Sequence, residues 1–117
     1  MYKVIIAGCR DFTDYALLRS FADETLAGAE DVEIVSGGAR GADALGERYA
    51  RERGHALKVF PADWKKWGAA AGPIRNAEMA AYADALIAFW DGKSAGTRDM
   101  IRKAEEKGLQ VQVRIVS

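Results

Sequence analysis

A chain of 117 residues, half of them hydrophobic, has the length and apolar content of one compact domain around one buried core. Its charged residues, 29% of the total, balance to a formal net charge of +0, which excludes a global field toward nucleic acid or an anionic membrane. Any anion site is therefore local. The single Cys9 excludes an intramolecular disulfide framework and fits a reducing, cytoplasmic compartment.

The opening MYKVIIAGCRDF carries an apolar run far too short for a signal h-region or a membrane span. It reads as a strand over residues 3–8, continuous and β-branched, the pattern of a central strand covered on both faces. Thr13 or Asp14 then caps a helix with Tyr15, Leu18 and Phe21 or Ala22 as its inner stripe, and Gly28 stops it. Residues 32–36 form the second strand. The second helix starts near Ala42 and sets Ala42, Leu45, Gly46, Tyr49 and Ala50 on one face, with Gly54 at its end. A third strand over 56–60 stops at Pro61. A loop over 61–72 leads to Pro73, the expected first residue of a third helix. The fourth strand spans 85–90, the fourth helix 97–107 with Gly108 as its stop, and the fifth strand 110–116. In that last strand Val111, Val113 and Ile115 alternate with Gln112 and Arg114, as in a half-exposed edge strand.

Alternating strands and helices imply an α/β fold with right-handed crossovers, a Rossmann-like three-layer sandwich around a five-stranded parallel sheet, of expected order 3-2-1-4-5. That order puts the topological switch between the first and fourth strands, so a ligand crevice should open beyond their carboxyl ends. One domain over residues 1–117 is the expectation.

Three segments there carry chemistry. In VSGGARGAD a strand ends at Ser36, a turn holds Gly37, Gly38 and Gly41, and a helix begins at once, with Asp43 in its first turn. Glycines let backbone N–H groups approach a phosphate at the positive end of a helix dipole, and Arg40 adds a charge-assisted contact. The spacing is neither G-x-G-x-x-G nor a P-loop, and a tight corner alone also accounts for it. In WDGKSAGTRD, Gly92 and Gly96 free the backbone and Thr97 offers a cap and a hydroxyl, while Lys93 and Arg98 read equally as solvated surface residues. In AGPIRNAEM, Arg75 and Asn76 fall in the expected first helical turn, where a cation opposes the dipole unless an anion or an acidic side chain sits nearby.

Gly8, Arg10 and Asp11, just past the central strand, are placed to meet a ribose or phosphate, although Arg10 and Asp11 can also pair with each other or cap the next helix. Cys9 has no partner base, since His55 lies at the far end of the third strand, and reads as a buried structural thiol. No His/Cys/carboxylate spacing suggests a metal, and no cofactor is expected. Trp64 and Trp67 flank Lys65 and Lys66, as a base-stacking lid or as anchors of the loop. The alanines of the third helix permit close packing, within the domain or across a homodimer.

Together GCRDF, VSGGARGAD, FPADW, GPIRNAEM and DGKSAGTRDM resemble the YspA-type members of the SLOG superfamily, over nearly the whole chain. The same pattern is similar to the DNA-processing protein A family, whose SG-ARG-D turn looks like residues 36–43, and to the "lonely guy" phosphoribohydrolases. The resemblance implies a Rossmann-like fold binding a nucleotide or nucleotide-derived signal, with roles in phage conflict or stress signalling. It also raises two alternatives, cleavage of a nucleotide N-glycosidic bond and binding of single-stranded DNA. The DNA reading would draw on a local patch of Arg40, Arg75, Lys65, Lys66 and Arg98.

The phosphoribohydrolases have a P-G-G-x-G-T-x-x-E turn, matched here by residues 91–100, and an arginine matched by Arg75. Their glutamate falls at Met100, which cannot stabilise an oxocarbenium-like sugar. Asp99, one helical step away, and Asp43 are the remaining catalytic candidates beside Arg75. Binding therefore ranks above catalysis.

Overall fold

The computed structural model describes residues 1–116. Five parallel strands, β1 (Tyr2–Gly8), β2 (Val32–Ser36), β3 (Ala56–Val59), β4 (Ala85–Trp90) and β5 (Gln110–Ile115), form one sheet in the order β3-β2-β1-β4-β5. The fold is α/β and Rossmann-like, in the order expected from the sequence. The helices are α1 (Tyr15–Thr25), α2 (Ala42–Arg53), α3 (Trp64–Trp67), α4 (Ala71–Tyr82) and α5 (Ala95–Glu106).

The pleat of β1 divides the core in two. Val4 and Ile6 point into a cluster with Leu18 and Ala22 of α1 and Ala42, Tyr49 and Ala50 of α2. Ile5 and Ala7 point the other way, onto Met79 and Ala80 of α4 and Met100 and Ala104 of α5. Successive strand residues face opposite sides, so a continuous apolar run is what a strand buried on both faces requires. Val4, Ile5 and Ile6 are all fully buried. Gly46 lets α2 lie close on β1, since a Cβ there would stand 2.8 Å from the Ile6 side chain.

Local signals placed most of the element ends. The Asp14 carboxylate accepts from the Leu17 N–H at 3.1 Å, so Asp14 rather than Thr13 caps α1. Gly54 closes α2 in the left-handed conformation, φ +70°. Gly28 lies in the turn beyond α1, which itself ends at Thr25.

Several expectations are corrected. Residues 61–72 are not a plain loop: they hold α3, capped by Asp63, and a 3₁₀ turn (Gly68–Ala70) that runs straight into α4. Helix α4 thus begins two residues before Pro73, whose missing N–H costs nothing because first-turn donors have no intrahelical partner. Arg75 consequently sits in the second turn, where the dipole argument no longer applies. Helix α5 begins at Ala95 with Ser94 as N-cap, so Thr97 is neither its start nor its cap. Strand β3 ends at Val59, although the Phe60 N–H still bonds to the Ser36 carbonyl at 2.8 Å. At the β5 edge Val111 packs on the core, while Val113 and Ile115 are exposed along with the polar residues. No helix among the described residues is long and apolar enough to cross a membrane.

Candidate functional site

Strands β1 and β4 are neighbours, with Gly8 paired to Phe89, and the chain leaves them toward opposite faces of the sheet. Beyond their carboxyl ends opens a cleft of about 560 Å³. Gly8, Arg10, Asp11, Arg40, Asp43, Arg75, Asn76, Gly96, Thr97 and Asp99 all line it, so most of the residues picked from the sequence converge on one space. A second cavity of about 310 Å³, reaching Gly37 and Gly38, shares Arg10, Ala39, Arg40, Trp64 and Arg75 with the first.

Two glycines are required by close approach. A Cβ on Gly8 would strike the Phe89 carbonyl and stand 2.9 Å from the Ala42 side chain. Gly41, at φ +78°, lies directly on the Cys9 and Arg10 carbonyls, and Ala42 donates its N–H to the Cys9 carbonyl at 3.2 Å. The turn after β2 and the loop after β1 are thereby locked together, which holds Arg10 and Arg40 on one rim. Arg40 meets Asp11 at 3.6 Å, with both side chains largely exposed, a contact worth little against a competing anion.

The turn over 36–43 spends part of its donors internally. Fully buried Ser36 donates from Oγ to the Glu47 carboxylate at 2.6 Å and accepts the Gly38 N–H at 3.0 Å. The Ala39 N–H goes to Asp43 Oδ2 at 3.3 Å. The N–H groups of Gly38, Ala39 and Ala42 are thus bonded within the protein, whereas among the described residues no acceptor takes those of Arg40, Gly41 or Asp43. Ser36 and Gly41 shape the site without lining either cavity. Glu47 went unremarked in the sequence, although it lies one turn after Asp43 on the same helix face.

Burial pushes the Asp43 carboxyl up to about 6, against the opposing pull of the Ala39 N–H and the Arg75 charge. Burial lowers the Arg75 pKa; Asp43 opposes that shift and the charge of Arg10 adds to it. The guanidinium remains a cation at any ordinary pH.

From α4, Arg75 donates through Nη1 to the Gly37 carbonyl and through Nε to Asn76 Oδ1 at 3.1 Å. Asn76 Nδ2 donates in turn to the Gly96 carbonyl at 3.3 Å and to Asp99 Oδ2 at 2.9 Å. Lys103 and Arg102 also hold the Asp99 carboxylate, each at 2.9 Å. Burial raises the Asp99 pKa, but Lys103, Asn76 and Arg102 outweigh it and hold the group below the usual carboxylate range. Asp99 is therefore an engaged carboxylate, not a free base. Met100, where a hydrolase would need its acid, is buried in the cleft wall.

The start of α5 is open as well. Ser94 makes no side-chain bond to the first turn, and among the described residues no backbone carbonyl accepts from the N–H groups of Ala95, Gly96 or Thr97. These donors border the cleft. Asp91 shapes the preceding loop by accepting the Lys93 and Ser94 N–H groups at 2.8 Å each. Gly92 turns that loop at φ +79° and lies outside the cleft. Arg98 bonds to the Gly92 carbonyl and rests on the Trp90 ring, so Arg98 and Lys93 are surface residues. Cys9 is buried, accepts the Asp91 N–H at 3.2 Å, and has its thiol pushed up by burial, as a structural cysteine would.

Fold and cleft together define a Rossmann-like α/β protein whose pocket lies at the switch point of its sheet. Residues 2–67 match the model of the YspA, cpYpsA-related SLOG family, and the chain belongs to that family. The Gene 61 protein of Mycobacterium phage D29 is 38% identical over 118 residues, covering 95% of this chain and 94% of that protein. Among solved structures, DNA processing protein A from Streptococcus pneumoniae superposes with a TM-score of 0.78 at 18% identity, over 100% of this chain and 51% of that one. This chain thus spans about half the length of that protein. The structural-genomics protein TM1055 superposes with a TM-score of 0.69 at 23% identity, over 95% of this chain and 72% of that one. Both likenesses are of fold.

Proposed function

We propose that the cleft binds a nucleotide or nucleotide-derived ligand through its phosphate, and that it does so without cleaving it. The observation that carries this reading is the open amino terminus of α5 sharing one cleft with Arg10, Arg40 and Arg75. Unpaired N–H groups and a helix dipole favour an anion at that end, and guanidinium groups supply charge-assisted, two-pronged contacts. Family membership supports a nucleotide-derived small molecule over other anions.

The carboxylates of α5 and of the loop before it argue for binding alone. Asp99 is held by three donors, Asp91 is committed to its own loop, and Met100 replaces the expected acid. Calorimetry with AMP, GMP and ribose 5-phosphate tests the reading. Each should bind, and Arg75→Ala should weaken all three by about 10- to 100-fold, the equivalent of one lost charge-assisted bond, while thermal melts stay cooperative. Affinities that do not change in Arg75→Ala and Arg40→Ala would sink it. Chromatography of AMP after long incubation should show no free adenine.

A further inference from the structure

We infer that Trp64 is the stacking platform for the ligand's nucleobase, and that the smaller cavity is the base subsite; this rests on the phosphate reading above. Trp64 is one of five residues lining both cavities, so it stands where the phosphate-binding cleft passes into the smaller space. The smaller cavity is lined by Pro61, Ala62 and Trp64 from the segment after β3, by residues 37–39, and by Arg10, Arg40 and Arg75. Its volume of about 310 Å³ lies at the lower end for small-ligand sites, about 300–1,000 Å³. An indole face set among glycine-turn and arginine polar groups suits a flat heteroaromatic ring, which needs a face to stack on and polar groups at its rim.

The exposure of Trp64 separates this role from that of a loop anchor. An anchoring tryptophan would be buried, whereas Trp64 is 50% exposed. Its backbone is nonetheless held by a local cap. Asp63 caps α3, accepting the Lys66 N–H at 3.1 Å, and the indole edge comes against Gly72, where a Cβ would make ordinary contact at 3.4 Å. A large ring left uncovered beside a cluster of arginines offers a free face to a ligand. Trp67, similarly exposed, lines neither cavity and carries Lys66 over its ring.

Stacking is tolerant of base identity because every base has a π-face, so the four nucleoside monophosphates should differ less from one another than from the base-free sugar phosphate. The experiment compares AMP with ribose 5-phosphate by calorimetry on the wild type, Trp64→Leu, Trp64→Phe and Trp67→Leu. The wild type should bind AMP about tenfold more tightly than ribose 5-phosphate, and Trp64→Leu should lose that advantage while keeping its ribose 5-phosphate affinity. Trp64→Phe should retain part of the advantage and Trp67→Leu all of it. AMP, and not ribose 5-phosphate, should quench tryptophan emission in the wild type, a readout that needs no variant to fold. An unchanged AMP affinity in Trp64→Leu, an equal loss for both probes, or equal wild-type affinities overturns the stacking role and leaves the phosphate reading standing. Failure of the wild type to bind either probe overturns both.

Discussion

Arg75 donates to the carbonyl of Gly37, 38 residues away in the chain, and the Asp43 carboxylate stands beside the same glycine. A Cβ at position 37 would stand 2.6 Å from Arg75 Nη1 and 2.8 Å from Asp43 Oδ2. The glycine is needed for that approach and not for its backbone angle, which is not left-handed. This contact carries α4 to the end of β2 and aims the arginine across the cleft.

Gly37→Ala and Gly41→Ala should therefore fail in different ways. At position 37 the new methyl meets side-chain ends that can swing aside, so stability should fall by less than about 1.5 kcal/mol. Arg75 leaves its place, however, and ribose 5-phosphate affinity should drop about tenfold. At position 41 the methyl meets backbone at a left-handed φ, costing about 2–5 kcal/mol. Urea denaturation read beside calorimetry separates the two. Full affinity in Gly37→Ala would remove Arg75 placement from the account.

Arg75→Lys should lose nearly as much affinity as Arg75→Ala. The guanidinium serves the Gly37 carbonyl and the Asn76 amide oxygen from one rigid plane, which on the proposed reading also meets the ligand and which an ammonium cannot replace. Retention of near wild-type affinity by the lysine variant would mean that charge alone matters at this position.

The sheet order was legible because each strand announced itself: β1 as a continuous apolar run, β5 as an alternating edge, with glycines and caps between. Convergence of Arg10, Arg40, Arg75, Asn76, Gly96 and Thr97 followed from the switch point of that order. What local patterns could not carry was long-range commitment of donors and acceptors. Arg75 is committed to the Gly37 carbonyl at the end of β2, and Asp99 is taken by Asn76 from another helix. Helix α3 was missed because a four-residue helix is too short to show a period, although Asp63 three residues before Lys66 is a capping signal.

Asp99→Ala should destabilise the protein by about 1–3 kcal/mol at neutral pH, since it strands Asn76 and two cations that converge on it. The Asp99 pKa is depressed in the fold, so its contribution is present above the unfolded carboxylate value and lost as pH falls through the lower, folded one. The gap between wild type and Asp99→Ala in urea midpoint should accordingly narrow in acid. A gap that stays constant down to pH 2 would remove the ionised carboxylate as the source of the stabilisation.

Asp43 titrates in the opposite sense. Its folded pKa of about 6 stands above the ordinary 3.8, so between these values the folded protein holds a proton that the unfolded chain has released. Stability then falls as pH rises through this window, and an ionised Asp43 above pH 6 costs on the order of 2–3 kcal/mol. Asp43→Asn abolishes the titration and keeps an oxygen for the Ala39 N–H, so it should gain stability over the wild type at pH 8 and little at pH 4. Removing that negative charge from beside Arg75 should also strengthen anion binding. The ratio of ribose 5-phosphate affinities, Asp43→Asn over wild type, cancels the titration of the phosphate itself and should be several-fold at pH 8 and near unity at pH 5. A ratio that does not move with pH would show that Asp43 is already neutral at pH 8 or does not act on the bound anion.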